Sequence, residues 1–168
     1  GAPGSGKGTQ NKLITDRFNL IPVIAGDLLR IEKKSGSELG LEIGSIIDNG
    51  NLVSDIIIDN LIEEYVMGCG LDTSTDTGFI FDGYPRTIEQ AKKLDDLVNI
   101  DIVIFLDVNQ DILIKRILER GKTSDREDDQ NINIINQRMK NYIDITEPIK
   151  EYYLDRLVTF DGNKDIEE

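Results

Sequence analysis

Hydrophobic residues follow two alternating patterns along this chain. Short continuous apolar runs, rich in β-branched and aromatic residues, occupy 20–24, 78–82, 101–108 and 156–160, and we predict a strand at each. Between these runs, apolar residues recur three and four positions apart, which is typical of helices that bury one face. Strands that alternate with helices predict an α/β fold, with a parallel sheet covered by helices on both faces.

The same spacing predicts where the helices lie. One begins at 28–31, and three others span 56–66, 112–118 and 132–145. Ser54 or Asp55 is expected to cap the second of these helices, and Asn109 or Asp111 the third. The segment 68–78 is rich in Gly, Ser, Thr and Asp, and is predicted to be a surface connection.

Composition limits the function classes. The chain has 168 residues, of which 39% are hydrophobic, enough for one globular domain with a full core. No apolar run approaches the roughly 20 residues of a membrane helix, and no signal peptide is recognisable. The single cysteine, Cys69, cannot form an internal disulfide, so we expect a cytoplasmic protein without a structural zinc site. Histidine is absent, which excludes a histidine general base.

The charge balance restricts the partners. The formal net charge is −13, so the surface as a whole repels nucleic acid. An anionic ligand must therefore be held by a local cluster of Lys and Arg.

The strongest motif stands at the start of the chain. Gly1-Ala-Pro-Gly4-Ser5-Gly6-Lys7 matches the phosphate-binding loop G-x-x-x-x-G-K, and a helical pattern through Leu13, Ile14, Arg17 and Phe18 follows it. Glycines let backbone N–H groups converge on phosphate oxygens, while the lysine reaches the outer phosphates. A plain glycine-rich turn is the alternative, which the helix that follows disfavours. Gly8 stands where a hydroxyl usually coordinates magnesium, and Thr9 comes one position later.

A phosphate loop of this kind normally follows a buried strand, and a closing helix normally follows the last strand. Here the motif begins at Gly1 and the chain stops at Glu168, shortly after the last predicted strand. We therefore expect a piece of a longer chain that lacks its first strand and last helix.

Two aspartates end predicted strands. Asp82 follows the apolar run from Gly78, at the edge where parallel sheets bind ligands, and can orient the water shell of Mg²⁺. Asp107 ends a similar run, but no phosphate-binding pattern follows it, so we expect a structural role.

Four spaced segments together resemble a known family. GAPGSGKGTQ, GDLLR, FDGYPRTIEQA and ERGKTSDREDD occur in the order found in adenylate kinases and their nucleoside monophosphate kinase relatives. The resemblance runs from residue 1 to about residue 164, and relatives also carry glycine at the position of Gly8. It implies a P-loop NTPase-type domain over 1–168, with an acceptor-binding segment at about 24–53 and a short lid at about 120–129.

The resemblance implies transfer of the terminal phosphate of ATP to AMP with Mg²⁺, giving two ADP, by a monomer. The implied ATP-binding residues are Gly4, Ser5, Gly6, Lys7, Gly8, Thr9, Arg116, Arg120 and Lys164. The implied AMP-binding residues are Ala25, Arg30, Ile47, Asn51, Leu52, Val53, Gly83, Tyr84, Pro85, Arg86, Gln90, Arg126 and Arg138. The implied catalytic residues are Lys7, Arg86, Arg120, Arg126 and Arg138, and Asp82 acts on Mg²⁺ through water.

Individual roles follow from the same resemblance. Arg30 and Arg86 hold the acceptor phosphate, Arg116 stacks on the donor base, and Gln90 reads the acceptor base. The Gln90 amide could rotate to fit guanine, so it indicates a purine rather than adenine alone. Asp125 stands where relatives carry glycine, and its negative charge is expected to weaken the lid's hold on phosphate.

Two alternatives remain open. A UMP/CMP kinase on the same fold is favoured by Ala25, where adenylate kinases usually have threonine, and disfavoured by Thr87 and Gln90. A non-enzymatic P-loop module explains Lys7 and Asp82 but gives no role to the four arginines at positions 30, 86, 126 and 138.

Overall fold

A computed structural model describes residues 1–69, 77–124 and 126–164, apart from the side chain of Glu127. Most of the predicted connection 68–78 lies outside the described residues, as does Asp125. The helices are α1 (Lys7–Phe18), α2 (Ala25–Ser35), α3 (Glu38–Ile47), α4 (Asp55–Gly68), α5 (Ile88–Leu97), α6 (Gln110–Gly121), α7 (Ile132–Asn141) and α8 (Ile149–Tyr152). The strands are β1 (Ile21–Ile24), β2 (Phe79–Asp82), β3 (Val103–Asp107) and β4 (Leu157–Asp161).

All four predicted strands are confirmed, and they pair in parallel. β1 pairs with β2, which places Ile24 opposite Asp82, and β3 pairs with β4, which places Asp107 opposite Asp161. Within the described residues these pairs are two separate two-stranded sheets, where we had predicted one sheet. The phosphate loop begins beside β3, because a Cβ on Gly1 would stand 2.7 Å from the Leu106 carbonyl oxygen. A cleft separates β2 from β3 and is lined by both strands.

Apolar side chains spaced by helical turns form the core. Val23 of β1 packs with one face of α4, where Ile58, Ile62 and Val66 are buried, and with Leu94 of α5. A second cluster joins α6 to α7 beneath the phosphate loop through Ala2, Leu113, Ile117, Ile135 and Met139. Apolar residues four positions apart lie on the same helix face, so the spacing that predicts these helices also explains which of their faces is buried.

Several helix predictions need correction. Ser54 and Asn109 occupy N-cap positions as expected, but neither side chain makes a capping hydrogen bond. Capping side chains occur instead at Ser37 and Thr87, before two helices that the periodicity did not identify, α3 and α5. The short α8 was also missed.

The predicted helix 132–145 is confirmed as far as Asn141 and is wrong over 142–145. The α-helical pattern ends at Asn141, and a π-turn covers Tyr142–Thr146. Pro148 has no N–H to offer to the carbonyl of Asp144, and the Glu147 N–H bonds the Tyr142 carbonyl at 2.8 Å. The proline therefore explains why the regular ladder stops.

None of the helices in the described ranges is both long and apolar enough to cross a lipid bilayer.

Candidate active site

The phosphate loop has the backbone geometry that its glycines predict. Gly4 and Gly6 have φ of 82° and 95°, and Gly6 is the N-cap of α1. Gly4 also lies against α6, since a Cβ there would stand 2.7 Å from the Leu113 carbonyl oxygen. The loop therefore opens at the N-terminus of α1, where unpaired N–H groups and the helix dipole favour an anion.

Lys7, the first residue of α1, folds back across this loop. Its Nζ donates hydrogen bonds to the carbonyls of Gly1 at 2.8 Å and Ala2 at 2.9 Å. Burial above all, with the nearby cations Arg86, Arg120 and Arg138, lowers the pKa of Lys7 to about 8, although Asp82 opposes the change. Asp82 and three of the four predicted catalytic arginines, Arg86, Arg120 and Arg138, thus lie near this one ammonium group.

Asp82 ends β2 beside the loop. One of its carboxylate oxygens lies 3.9 Å from the position that a Cβ on Gly8 would occupy. Glycine at position 8 therefore leaves the space between carboxylate and loop open. A single carboxylate beside a phosphate loop suits Mg²⁺, which keeps several of its waters. Among the described residues there is no cluster of three or more acidic or thiol groups that could bind a metal without substrate.

The segment after β2 presents Arg86. Gly83 turns the chain with φ of 77°, and the buried Tyr84 anchors it by donating to Asp59 at 2.7 Å. The Arg86 Nε donates to the Gly83 carbonyl at 2.8 Å. Burial lowers the pKa of Arg86, and Arg138 and Arg30 contribute in the same direction, while Asp82 opposes them. The guanidinium group therefore lies between Asp82 and two other cations.

The acceptor-binding segment contributes α2, α3 and the turn after them. Arg30 lies on α2 and donates to Asp27 at 2.6 Å, a contact that a phosphate could replace. Ile47, Asn51 and Leu52 line the cleft, together with Gly83, Tyr84 and Pro85. Ala25 and Val53 are buried, with 1% and 6% of their surfaces exposed, and lie behind the wall of the cleft.

Gln90 is also buried, with 4% of its surface exposed. Its side-chain oxygen accepts from the Arg86 backbone N–H at 2.6 Å, and its Nε2 donates to Asp55 at 2.7 Å. The predicted base-reading residue is therefore held by protein groups at both ends of its amide.

Arg120 of the lid and Arg138 of α7 share a carboxylate that the sequence did not predict. Arg120 donates to both oxygens of Asp129, at 2.6 and 2.9 Å, and Arg138 donates to Asp129 and Asp128 at 2.7 Å each. Burial disfavours ionised Asp129, but the hydrogen bonds from Arg120 and Arg138 outweigh it and hold the pKa of Asp129 below its ordinary value. Asp129 lies nine residues from each arginine, a spacing with no helical or strand period, so only the acidic pair 128–129 could have signalled it.

Arg116 of α6 contacts the segment that follows β4. Arg116 donates to the Gly162 carbonyl at 2.9 Å, and Lys164 lines the same part of the cleft. Burial lowers the pKa of Arg126, and the neighbouring cations Arg30 and Arg120 contribute to the shift. Arg126 therefore lies between the acceptor side and the lid.

One continuous cleft of about 2060 Å³ joins these parts. Its wall includes the phosphate loop, Asp82, and six arginines at positions 30, 86, 116, 120, 126 and 138.

Comparison with known proteins identifies the arrangement. The adenylate kinase family model matches residues 1–158. The chain belongs to the adenylate kinase family. The adenylate kinase match includes the phosphate loop, Asp82 and all six arginines on the cleft wall.

Individual adenylate kinases are similar over almost the whole chain. The one from Azobacteroides pseudotrichonymphae is 40% identical, and the alignment covers all of this chain and 89% of the relative. The one from Flavobacterium johnsoniae is 38% identical, with coverage of 100% and 90%. The one from Parabacteroides distasonis is 42% identical, with coverage of 92% and 81%.

Proposed function

We propose that the cleft binds both substrates of the adenylate kinase reaction, with ATP at the phosphate loop and AMP beside Arg30 and Arg86. As a member of this family, the protein transfers the terminal phosphate of ATP to AMP and produces two ADP. The observation that carries the residue assignment is the convergence of Asp82, Arg86, Arg120 and Arg138 on the Lys7 ammonium group.

The donor triphosphate lies in the loop formed by Gly4, Ser5, Gly6, Lys7, Gly8 and Thr9. Its outer phosphates replace the carbonyls of Gly1 and Ala2 as partners of Lys7, since a phosphate offers a stronger, charged acceptor. Arg116 and Lys164 hold the adenosine end, where the Arg116 hydrogen bond to Gly162 keeps its guanidinium plane in place.

The acceptor phosphate is held by Arg30 and Arg86. A bound phosphate competes with Asp27 for Arg30, and Arg86 is already oriented through Gly83. Ile47, Asn51 and Leu52 cover the nucleoside, and Gly83, Tyr84 and Pro85 form the floor. The buried Ala25 and Val53 support these walls from behind. Gln90 reads the base.

Phosphoryl transfer then depends on positioning and positive charge. Charge spreads over the oxygens of the phosphoryl group in flight, and Lys7, Arg120, Arg126 and Arg138 supply cations around its path. The attacking phosphate oxygen of AMP is already ionised, so no general base is required. Asp129 keeps Arg120 and Arg138 together, which lowers the cost of ordering them during the reaction.

Asp82 would hold, through water, the Mg²⁺ that accompanies ATP. The bound ion would supply positive charge against the phosphates. We further propose that the protein acts as a monomer in the cytoplasm, on nucleotides rather than nucleic acid.

An acceptor panel tests the assignment. The purified protein, with ATP and Mg²⁺, is given AMP, UMP, CMP and GMP at equal concentration, and nucleoside diphosphate formation is followed by chromatography. We expect AMP to be phosphorylated fastest. Faster use of UMP or CMP would make it a pyrimidine kinase, and binding of ATP without any transfer would make it a non-enzymatic module.

A further inference from the structure

We infer that Asp55 determines base specificity by fixing the orientation of the Gln90 amide, so that the acceptor site selects a 6-aminopurine over a 6-oxopurine. This inference rests on the proposed role of Gln90 in reading the acceptor base. The residue that sets specificity is then on another helix than the one that reads the base, since Asp55 is the first residue of α4 and Gln90 lies on α5.

Two groups of opposite hydrogen-bonding character hold the Gln90 amide. The Asp55 carboxylate, 2.7 Å from Nε2, can only accept a hydrogen bond, and the Arg86 backbone N–H, 2.6 Å from Oε1, can only donate one. A glutamine amide rotated by half a turn would face its NH₂ group to a donor and its oxygen to an acceptor. The amide therefore has one permitted orientation.

Asp55 is itself held in place by Thr87. The Thr87 hydroxyl donates to the second Asp55 oxygen at 2.8 Å, and its oxygen accepts from the Gln90 backbone N–H at 3.1 Å. Thr87 is the N-cap of α5, so the start of that helix and the carboxylate fix each other. Both carboxylate oxygens are thus engaged, and Asp55 cannot turn away from Gln90 without losing two hydrogen bonds.

The fixed amide has a directional hydrogen-bonding capacity. An amide has two N–H donors and two acceptor lone pairs, and the protein uses one of each. Within residues 1–69, 77–124 and 126–164, no protein group hydrogen-bonds the remaining N–H or lone pair, and the two suit one base edge. Adenine donates from N6 and accepts at N1, while guanine accepts at O6 and donates from N1. For a base held in one pose, an amide that fits adenine opposes guanine with a donor facing a donor and an acceptor facing an acceptor.

This removes the ambiguity that the sequence left, where Gln90 could rotate and accept either purine. Rejection of the wrong purine arises because a rotated Gln90 would lose its bonds to Asp55 and Arg86. Specificity of this kind depends on a penalty against the competitor as well as on attraction to the substrate.

Asp55→Asn tests the inference with little change in volume. An asparagine side chain can present either its oxygen or its NH₂ group to Gln90, so only the Arg86 backbone N–H then opposes a rotated amide. We expect the ratio of kcat/KM for AMP to that for GMP to fall by about tenfold or more, with kcat/KM for ATP changed less than about twofold. Glu64→Gln is the matched control, because Glu64 is exposed on the same helix and the charge change is identical. The control should leave the ratio unchanged.

A second pair of variants guards against a folding defect. Thr87→Val removes the hydroxyl that holds Asp55, whereas Thr87→Ser keeps it, so only the valine variant should lower the AMP-to-GMP ratio. Thermal unfolding measured on each variant separates lost specificity from lost structure. A stable Asp55→Asn protein with an unchanged ratio overturns the inference.

Gln90→Leu separates the inferred role of Asp55 from the proposed role of Gln90 in reading the base. If Gln90→Leu changes the ratio and Asp55→Asn does not, Gln90 reads the base but Asp55 does not orient it. If neither changes the ratio, Gln90 does not read the base. Wild-type protein that fails to phosphorylate AMP would overturn the proposed function itself.

Discussion

At the scale of single residues, burial changes the pKa of Lys7, the lysine of the phosphate loop. Its pKa is lowered to about 8, mainly by burial, in the nucleotide-free protein. A lowered pKa means that the ammonium form persists below about pH 8 and is lost above it. Bound triphosphate adds negative charge nearby and favours the ammonium form again.

This predicts different pH dependence for two kinetic constants. The kcat/KM for ATP reports the free enzyme and should fall as pH rises through about 8, whereas kcat should begin to fall at higher pH. Steady-state kinetics in buffers of constant ionic strength measure both profiles. A kcat/KM for ATP that stays constant from about pH 7 to about pH 9.5 would contradict the lowered pKa of Lys7 in the free enzyme.

The Asp129 carboxylate holds two cations, Arg120 and Arg138, in place. Asp129→Asn should lower kcat by about a hundredfold, because Arg120 and Arg138 lose their shared partner. It should also lower the free energy of unfolding by about 1–3 kcal/mol, less than for a fully buried pair, since both arginines remain partly exposed. Asp128→Asn is the control, as Asp128 pairs with Arg138 alone among the described residues. Kinetics and denaturant unfolding of both variants check this, and equal effects would show that Asp129 has no special role.

The positions of single side chains were predictable where a motif allows few alternative roles for the residue. Lys7, Asp82 and Arg86 lie around one cleft as expected, because a phosphate loop and a strand end leave few alternatives. The contacts of Asp129 with its two arginines and of Gln90 with Asp55 were not predictable, since their separations of 9 and 35 residues have no periodic signal. Their burial, 0% and 4% exposed, emerges only from packing.

At the scale of elements, the connection between α6 and the lid depends on close backbone contact. A Cβ on Gly121, the last residue of α6, would stand 2.7 Å from the Asp129 carbonyl oxygen and 3.0 Å from its carbon. This contact brings the lid segment against the helix that carries Arg116 and Arg120. The glycine is therefore required by space, although its backbone is helical.

Gly121→Ala should destabilise the protein by about 1–3 kcal/mol, because backbone must shift to admit the methyl group. Gly68→Ala is the matched control at the end of α4, where a Cβ meets nothing within 4 Å. The control should be neutral or more stable by up to about 1 kcal/mol, since alanine favours the helix. Chemical denaturation of both variants measures the difference. A Gly121→Ala variant as stable as its control would contradict the contact.

Element prediction succeeded where the hydrophobic pattern was unambiguous. The four strands were found to within two residues at each end because they are short, apolar and bounded by polar turns. The helices α3 and α5 were missed, and a helix was extended over the π-turn before Pro148. In each case a local hydrogen bond, rather than apolar spacing, sets the boundary.

At the scale of the whole molecule, one cationic cleft contrasts with a strongly negative net charge. The net charge is −13, yet six arginines and Lys7 line one cleft. Such an arrangement binds small polyanions through local geometry while the remaining surface repels larger ones. The sequence predicted this contrast from composition and motif, but the meeting of the arginines in one cleft depends on the fold.

The most direct test of the account compares two lysine variants in the conversion of ATP and AMP into ADP. Lys7→Met should lower kcat by about a hundredfold or more, because it removes a cation from the path of the phosphoryl group. Lys12→Met should retain wild-type kcat, since Lys12 lies on the same helix with its side chain 78% exposed and paired with Asp16. Circular dichroism should show both variants folded. A folded Lys7→Met protein that keeps more than about a tenth of wild-type kcat would contradict the central claim that this lysine anchors phosphoryl transfer.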